Sequence, residues 1–331
     1  MNALVTGSTG FIGAALCRAL VVRGHTVRAF HRPTSNLRLL NDLPVEHAIG
    51  DLTQPETIRA AMQGIEVVFH AAAQLGGAGG DTAGRMYTVT VEGTRAVLRY
   101  AQEAGVRRVV LTSSVAALGV PERPPDQDAP AMAPPIDESH TWNYRPDHWP
   151  YGYAKYLAEL EVQKAVAGGL DAVILNPSVV FGAGDIYRRD HSVIMTIARR
   201  KLGVLVEGGL NAVHIQDVVQ GHLAALECGR CGERYILAGE NLTIVELIRK
   251  IAGVVGAPAP GLVLPASLVT RVVPVIHLLQ PFLDLPVNAN DLRLAGNYFY
   301  YDTRKAQVEL GLPPPRPLED AIREAYDWFM S

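Results

Sequence analysis

The sequence predicts an α/β fold, a doubly wound (Rossmann) parallel sheet with helices on both faces and a smaller C-terminal region. Three observations predict it. Short β-branched runs alternate with longer amphipathic runs through the first half of the 331 residues, the pattern of parallel strands joined by right-handed crossovers. The strand-like runs lack polar alternation, as strands covered on both faces do. Gly7, Gly10 and Gly13 stand between the first run and the first helical stretch, where a strand must turn tightly into a helix.

Taken in order, strands are expected at residues 3–6, 26–30, 45–49, 67–71, 109–112 and 172–175. Between the first two, Phe11, Ile12, Ala15, Leu16, Ala19 and Leu20 recur with helical spacing, and Gly24 follows as a cap. Later crossing helices fall at 56–62, 82–104 and 151–166. Residues 119–150 hold eight of the 22 prolines and read as a long irregular loop of the functional or disordered kind. Shorter elements follow, including helices at 243–255 and 318–330. The chain divides softly into residues 1–176, a nucleotide-binding unit carrying the catalytic groups, and 177–331, a mostly substrate-binding region with some elements returning to the first sheet.

Composition narrows the function. An apolar share of 48% with a net charge of only −3 excludes intrinsic disorder and removes the electrostatic reason to bind nucleic acid. Charged residues are 19%, below the usual ~25%. Covered strands and the proline-rich loop account for part of that deficit. The rest concentrates in residues 262–283, which are largely apolar but interrupted by Pro265, Pro274, Pro281, Arg271 and His277. A transmembrane span is not expected there. A helix covering a pocket is, with shallow peripheral membrane contact the lesser alternative. Cys17, Cys228 and Cys231 are too few and too odd for a secreted disulfide framework. The Cys228–Cys231 pair has no second pair of ligands to complete a zinc site, so no metal is expected. With no basic leader at the N-terminus, a cytoplasmic location is expected.

The glycine triplet reads Thr6-Gly7-Ser8-Thr9-Gly10-Phe11-Ile12-Gly13. In a strand–turn–helix context it lets the backbone approach a pyrophosphate, with the helix N-terminus aimed at the phosphates. Gly7, Thr9, Gly10, Phe11, Ile12 and Gly13 are therefore the expected cofactor loop. After the second strand the chain reads Phe30-His31-Arg32-Pro33-Thr34-Ser35-Asn36, with no carboxylate for a ribose 2′-OH. Arg32 offers a planar, bidentate donor to a 2′-phosphate and Ser35 a further donor, which predicts NADP in preference to NAD. Asp51 and Leu52 are placed at the adenine edge, and Ala71, Ala72 and Ala73 at the ribose and nicotinamide side.

The catalytic pattern is Tyr151-Gly152-Tyr153-Ala154-Lys155, directly after Pro150. Tyr151 and Lys155, at i and i+4, share a helix face. A phenol titrates near ~10, and a neighbouring ammonium favours the phenolate and makes tyrosine a usable general acid or base. The fifth strand ends Leu111-Thr112-Ser113-Ser114, at the carboxyl edge where ligands bind in open α/β sheets. Thr112 is assigned to the cofactor side. Either serine could orient a substrate oxygen, with Ser114 preferred and Ser113 left to backbone contacts. Lys155 is also expected to grip the nicotinamide ribose.

These motifs, with Asn176-Pro177-Ser178, residues 232–237 and residues 305–311, resemble the extended short-chain dehydrogenase/reductase (NAD-dependent epimerase/dehydratase) family over the whole chain. Within it the dihydroflavonol-reductase-like branch, which includes the hopanoid-associated "sugar epimerase" proteins, is the most similar. The resemblance implies NAD(P), a Ser114–Tyr151–Lys155 catalytic set, Pro177, Ser178 and Val180 flanking the nicotinamide, and a homodimer through the helices beginning near Thr82 and Tyr151. Gln74, Ser114, Asn176 and Tyr187 are the expected substrate contacts, among loops at 74–85, 119–150 and 182–191.

Two departures matter. The family's Asn-Val-x-Gly-Thr is Thr90-Val91-Glu92-Gly93-Thr94 here. The stretch from Gly209 to Asp217 also lacks the arginine that holds a diphosphate in sugar-nucleotide epimerases, though Arg188, Arg189 or Arg293 could substitute. His214 in that stretch is expected to be a structural hydrogen-bonder. The expected activity is NADP(H)-dependent reduction of a fairly apolar carbonyl, or oxidation of the matching secondary alcohol. The alternatives are a nucleotide-sugar epimerase or dehydratase with tightly bound NAD(P), and a dinucleotide-sensing protein with a vestigial site.

Overall fold

The structure, a computed structural model, describes residues 1–74, 82–122, 134–186, 192–271 and 293–331. Its centre is a seven-stranded sheet in the order β10-β6-β5-β4-β1-β2-β3. The strands are β1 (Asn2–Thr6), β2 (Thr26–His31), β3 (Glu46–Ile49), β4 (Val67–His70), β5 (Arg108–Thr112), β6 (Ala172–Pro177) and β10 (Arg234–Leu237), and every pairing is parallel. The six strands expected from sequence are all present. The seventh, β10, lies far along the chain and returns to pair with β6.

Helices cover both faces, because strands buried on both sides need an apolar layer on each. On one face α1 (Phe11–Val22) and α7 (Ile215–Cys228) pack Leu16, Leu20, Val218 and Leu223 against Val5, Phe69 and Val173. On the other, α2 (Pro55–Ala61), α4 (Gly93–Glu103) and α5 (Pro150–Ala167) pack Ile58, Val97, Ala101 and Val162 against Leu4, Val68 and Ile174. Gly24, just past α1, has φ of +78°, the left-handed geometry that ends a helix most cheaply at glycine.

The remaining strands form a three-stranded sheet, β11-β9-β7, and a two-stranded one, β12-β8. They are β7 (Val179–Phe181), β8 (Val204–Val206), β9 (Gly209–His214), β11 (Glu240–Thr243) and β12 (Leu262–Leu264). These pack with α6 (Val193–Ala198), α8 (Ile244–Val255) and the closing helix Leu318–Met330 around a separate core containing Ile194, Ile251 and Ile322. A capping box of Thr243 and Glu246 starts α8.

Two expectations need correction. Residues 82–104 are not one regular helix. They break into α3 (Thr82–Met86), a π-helical turn (Tyr87–Glu92) and α4, where the β-branched run Thr88-Val89-Thr90-Val91 crowds α-helical packing. The Thr94 hydroxyl donates to the Thr90 carbonyl at 2.5 Å within that segment. β3 is not covered on both faces: it is the sheet's outer edge, and Ile49 is exposed. Of the apolar stretch 262–283, where a helix is expected, residues 262–264 form β12 and 266–271 are helical, while 272–283 lie outside the described residues. Among the described residues no helix is long and apolar enough to cross a membrane. The proline-rich loop is irregular where described, with Ile136 bridged to Tyr301 and Asn143 bonded twice to Val120.

Candidate active site

The strand order reverses direction at β1, with β2 on one side and β4 on the other. That is the switch point at whose carboxyl ends open α/β sheets bind ligands. Thr6 and His70 end β1 and β4 in register, and the glycine loop lies directly beyond. Gly7 has φ of +68°, and a Cβ there would sit 2.7 Å from the Ala72 backbone. At Gly13 a Cβ would be 2.1 Å from the Gly7 oxygen. The loop therefore folds onto both the helix and Ala71–Ala72, with no room for a side chain at Gly7 or Gly13. Gly10 is the N-cap of α1, no side chain caps it, and its first turn carries no acid. Helix N–H groups and dipole are thus left facing an anion position, which fits a dinucleotide pyrophosphate. Gly7, Thr9, Gly10, Phe11, Ile12 and Gly13 could hold it. Thr9 is largely buried, and Phe11 packs near Gly184.

Beyond β2, Arg32 is exposed and Ser35 half-buried, in a loop tethered by Arg38, whose guanidinium lies 5.4 Å from the Trp328 ring centre. Asp51 caps its own turn, accepting from the Thr53 N–H and hydroxyl at 2.9 Å each. Leu52 is buried beneath Gly93. At the carboxyl end of β6, Ser178 donates to Asn211 at 2.6 Å, Pro177 is buried and Val180 half-buried. Tyr187 lies outside the described residues, as do Arg188 and Arg189.

The catalytic candidates converge around the carboxyl end of β5. Pro150 opens α5, fixing its first turn, so Tyr151 and Lys155 stand one turn apart. Tyr151 is half-buried against Met86, Val91, Ala154 and Leu157. Lys155 is only 4% exposed, and its ammonium donates to the Thr112 carbonyl at 2.9 Å. Burial pushes its pKa down to about 8, with Glu159 pulling the other way. The two serines differ sharply. Ser113 is buried and its hydroxyl is committed to the Glu159 carboxylate at 2.5 Å, a side-chain contact rather than the backbone contact expected. Ser114 is half-buried, and its Oγ accepts from the Ala116 N–H at 3.2 Å. Gln74 meets the π-helical turn, its N–H donating to Thr90 Oγ1 at 3.3 Å.

Asn176 is fully buried, beneath this constellation. Its amide donates to the Ser114 carbonyl at 2.8 Å and to Glu159 at 2.6 Å. Two buried histidines complete the surroundings. His70 bridges Thr6 Oγ1 at 2.6 Å and Thr94 Oγ1 at 3.0 Å. Because the Thr94 proton goes to the Thr90 carbonyl, His70 Nε2 donates and Nδ1 accepts. His222 Nδ1 meets the Val218 carbonyl at 2.7 Å, which fixes its proton there, so Nε2 accepts from Thr112 Oγ1 at 2.7 Å. Burial holds His70 down to about 3 and His222 to about 4, so both are neutral. His214 caps α7, accepting from the Gln216 N–H at 3.0 Å. Among the described residues no cluster could hold a metal ion.

A family model for the NAD dependent epimerase/dehydratase family matches residues 3–238. The chain belongs to this family. It is 36% identical to a putative dihydroflavonol 4-reductase from Synechocystis over 99% of this chain and 94% of that one. It is 34% identical to sterol demethylase protein B from Methylococcus capsulatus, over 99% and 98%. The crystal structure of gox2253 superposes with a TM-score of 0.84 at 36% identity, covering 99% and 97%. Family membership makes the protein an NAD(P)-dependent oxidoreductase of the extended short-chain dehydrogenase/reductase type. Glu159, His70 and His222 are the members of the site that sequence alone did not single out. Glu159 carries a signal, standing four residues after Lys155 on the same helical face.

Proposed function

We propose that the protein is an NADP(H)-dependent carbonyl reductase or secondary-alcohol dehydrogenase acting on a fairly apolar small molecule. The observation that carries this is the pairing of Tyr151 with a buried Lys155 whose ammonium is anchored on Thr112 beside Ser114. When bound, the nicotinamide supplies or accepts the hydride. Ser114 donates to the substrate oxygen and orients it, its neighbour Ser113 being committed elsewhere. Tyr151 gives that oxygen its proton in reduction and takes it back in oxidation. The Lys155 ammonium stabilises the phenolate that remains and has donors free for the ribose hydroxyls. Arg32 and Ser35 would hold the 2′-phosphate of NADP.

The relatives named above are a dihydroflavonol reductase and a sterol demethylase protein, neither of them named for a sugar nucleotide, and this supports an apolar substrate. Absence of a diphosphate-binding arginine before His214 supports it too. Arg316, which lies beside His214, is committed to Asp217 through both its backbone N–H and its guanidinium. The reading includes a homodimer through α4 and α5, supported by the exposed Leu160 on α5 and Tyr87 on the adjoining turn.

The test is stoichiometric NADPH consumption by purified protein against a panel of apolar ketones, with Tyr151→Phe alongside. The variant is expected to lose roughly 10²–10⁴-fold in kcat. Tightly co-purifying dinucleotide with substrate conversion but no net NADPH consumption would instead establish the epimerase reading. An active Tyr151→Phe enzyme would refute both.

A further inference from the structure

A buried carboxylate is costly unless it is compensated, and the mechanism above makes no use of Glu159. It is 1% exposed. Its Oε1 accepts two hydrogen bonds, from Ser113 Oγ and Asn176 Nδ2. The same Asn176 nitrogen donates its second hydrogen to the Ser114 carbonyl, so the amide orientation is fixed and the carboxylate braces both serines from below. Glu159 Oε2 has no hydrogen-bond partner and faces the Arg234 guanidinium of β10 at 3.5 Å. A proton on Oε2 would meet a donor rather than an acceptor, so this geometry calls for the ionised form. On its own helix, Glu159 stands one turn from Lys155.

We propose that Glu159 is a positioning residue for the reaction: an ionised carboxylate that fixes the Ser113–Ser114 strand end and serves as the internal counter-charge that keeps Lys155 protonated. This rests on the Ser114–Tyr151–Lys155 reading. Burial raises the Glu159 pKa, opposed by the Arg234 guanidinium from β10 and the Lys155 ammonium. His70 from β4 lies toward Lys155 and is neutral, and the Tyr151 phenol stands one turn before Lys155 on α5. Ser113 from β5 and Asn176 from β6 add hydrogen bonds to the charged form. Burial pushes the Lys155 pKa down, and Glu159 opposes that push. Removing the carboxylate charge therefore lowers the pH at which Lys155 loses its proton.

The experiment compares pH–rate profiles of the holoenzyme with Glu159→Gln, Arg234→Met and Ser113→Ala, using NADPH and a ketone turned over by the wild type. In Glu159→Gln the alkaline limb of kcat is expected to move about one to two pH units lower, from a buried charge pair one helical turn apart at an effective dielectric constant of about 20. KM should stay near its wild-type value. Arg234→Met weakens the ionised form of Glu159 and should shift the limb the same way by less, which keeps the test open if Glu159→Gln folds poorly. Ser113→Ala removes one hydrogen bond to the charged form and leaves the Arg234 contact, so it should lower kcat by up to about tenfold and move the limb by less than Arg234→Met. An unmoved alkaline limb in both charge variants, or an equal shift in Ser113→Ala, overturns the proposal. Failure of the underlying reading shows separately, as undiminished turnover by Tyr151→Phe.

Discussion

The packing of the glycine loop predicts that one methyl group at Gly13 disables the cofactor end. In Gly13→Ala the new Cβ would stand 2.1 Å from the Gly7 oxygen, 2.7 Å from the Gly7 carbonyl carbon and 3.0 Å from Ser8 Cα. All three neighbours are backbone, so none can rotate away, and about 1 Å of separation must come from moving the loop off α1. Overpacking of this kind costs typically 1–3 kcal/mol. Alanine's better helix propensity returns at most about 1 kcal/mol. Gly253 in α8 supplies the control, since a methyl group there would meet nothing within 4 Å. Gly253→Ala should be neutral or stabilising by up to about 1 kcal/mol. Urea unfolding should thus separate two chemically identical changes by roughly 1–3 kcal/mol in opposite directions. NADPH titration followed by fluorescence should show weakened binding only in Gly13→Ala. A Gly13→Ala protein as stable as Gly253→Ala, with wild-type NADPH affinity, would refute the account of the loop.

Acid should destabilise the fold through His70 and His222. The unfolded chain binds both protons below about pH 6.5, whereas the folded chain resists until about 3 and 4. Their stabilisation is therefore complete above pH 6.5 and lost as pH falls, by about 2 kcal/mol each at pH 5, and a His222→Gln variant should show roughly half the slope in urea midpoints across that range. Arg32→Ala should raise the KM for NADPH roughly 10–100-fold while leaving NADH unchanged; equal loss with both cofactors counts against a 2′-phosphate contact. Leu160→Asp should turn a dimer into a monomer in sedimentation velocity, and a monomeric wild type defeats the dimer outright. Cys228→Ser with Cys231→Ser should leave turnover within twofold, both thiols being free and exposed; a large loss would give that pair a role.

Local patterns in the chain carried the cofactor loop and the Tyr151–Lys155 pair, because each depends on spacing within one turn or one helix. The outer edge at β3 was hidden for the opposite reason: hydrophobic periodicity marks a strand but not its neighbours, and only strand order leaves Ile49 uncovered. The π-helical turn escaped because its apolar pattern still resembles a helix, and what breaks it is β-branching concentrated at residues 88–91. His222 and Glu159 owe their roles to partners 110 and 46 residues away, Thr112 and Ser113. No window of sequence contains both halves of those contacts. Asn176 is held under the serines by its bonds to the Ser114 carbonyl and Glu159, contacts that no local pattern reveals.

The late return of β10 has a consequence for how the chain can be divided. β6 is apolar, buried at every position, and flanked by β10 on one side. Without β10, the β6 side of the β5–β6 pairing is a bare, greasy margin, the kind of margin that recruits other strands. A fragment stopped at residue 176 would carry that margin permanently. Residues 1–176 thus depend on a strand from the later part of the chain to cover their sheet edge.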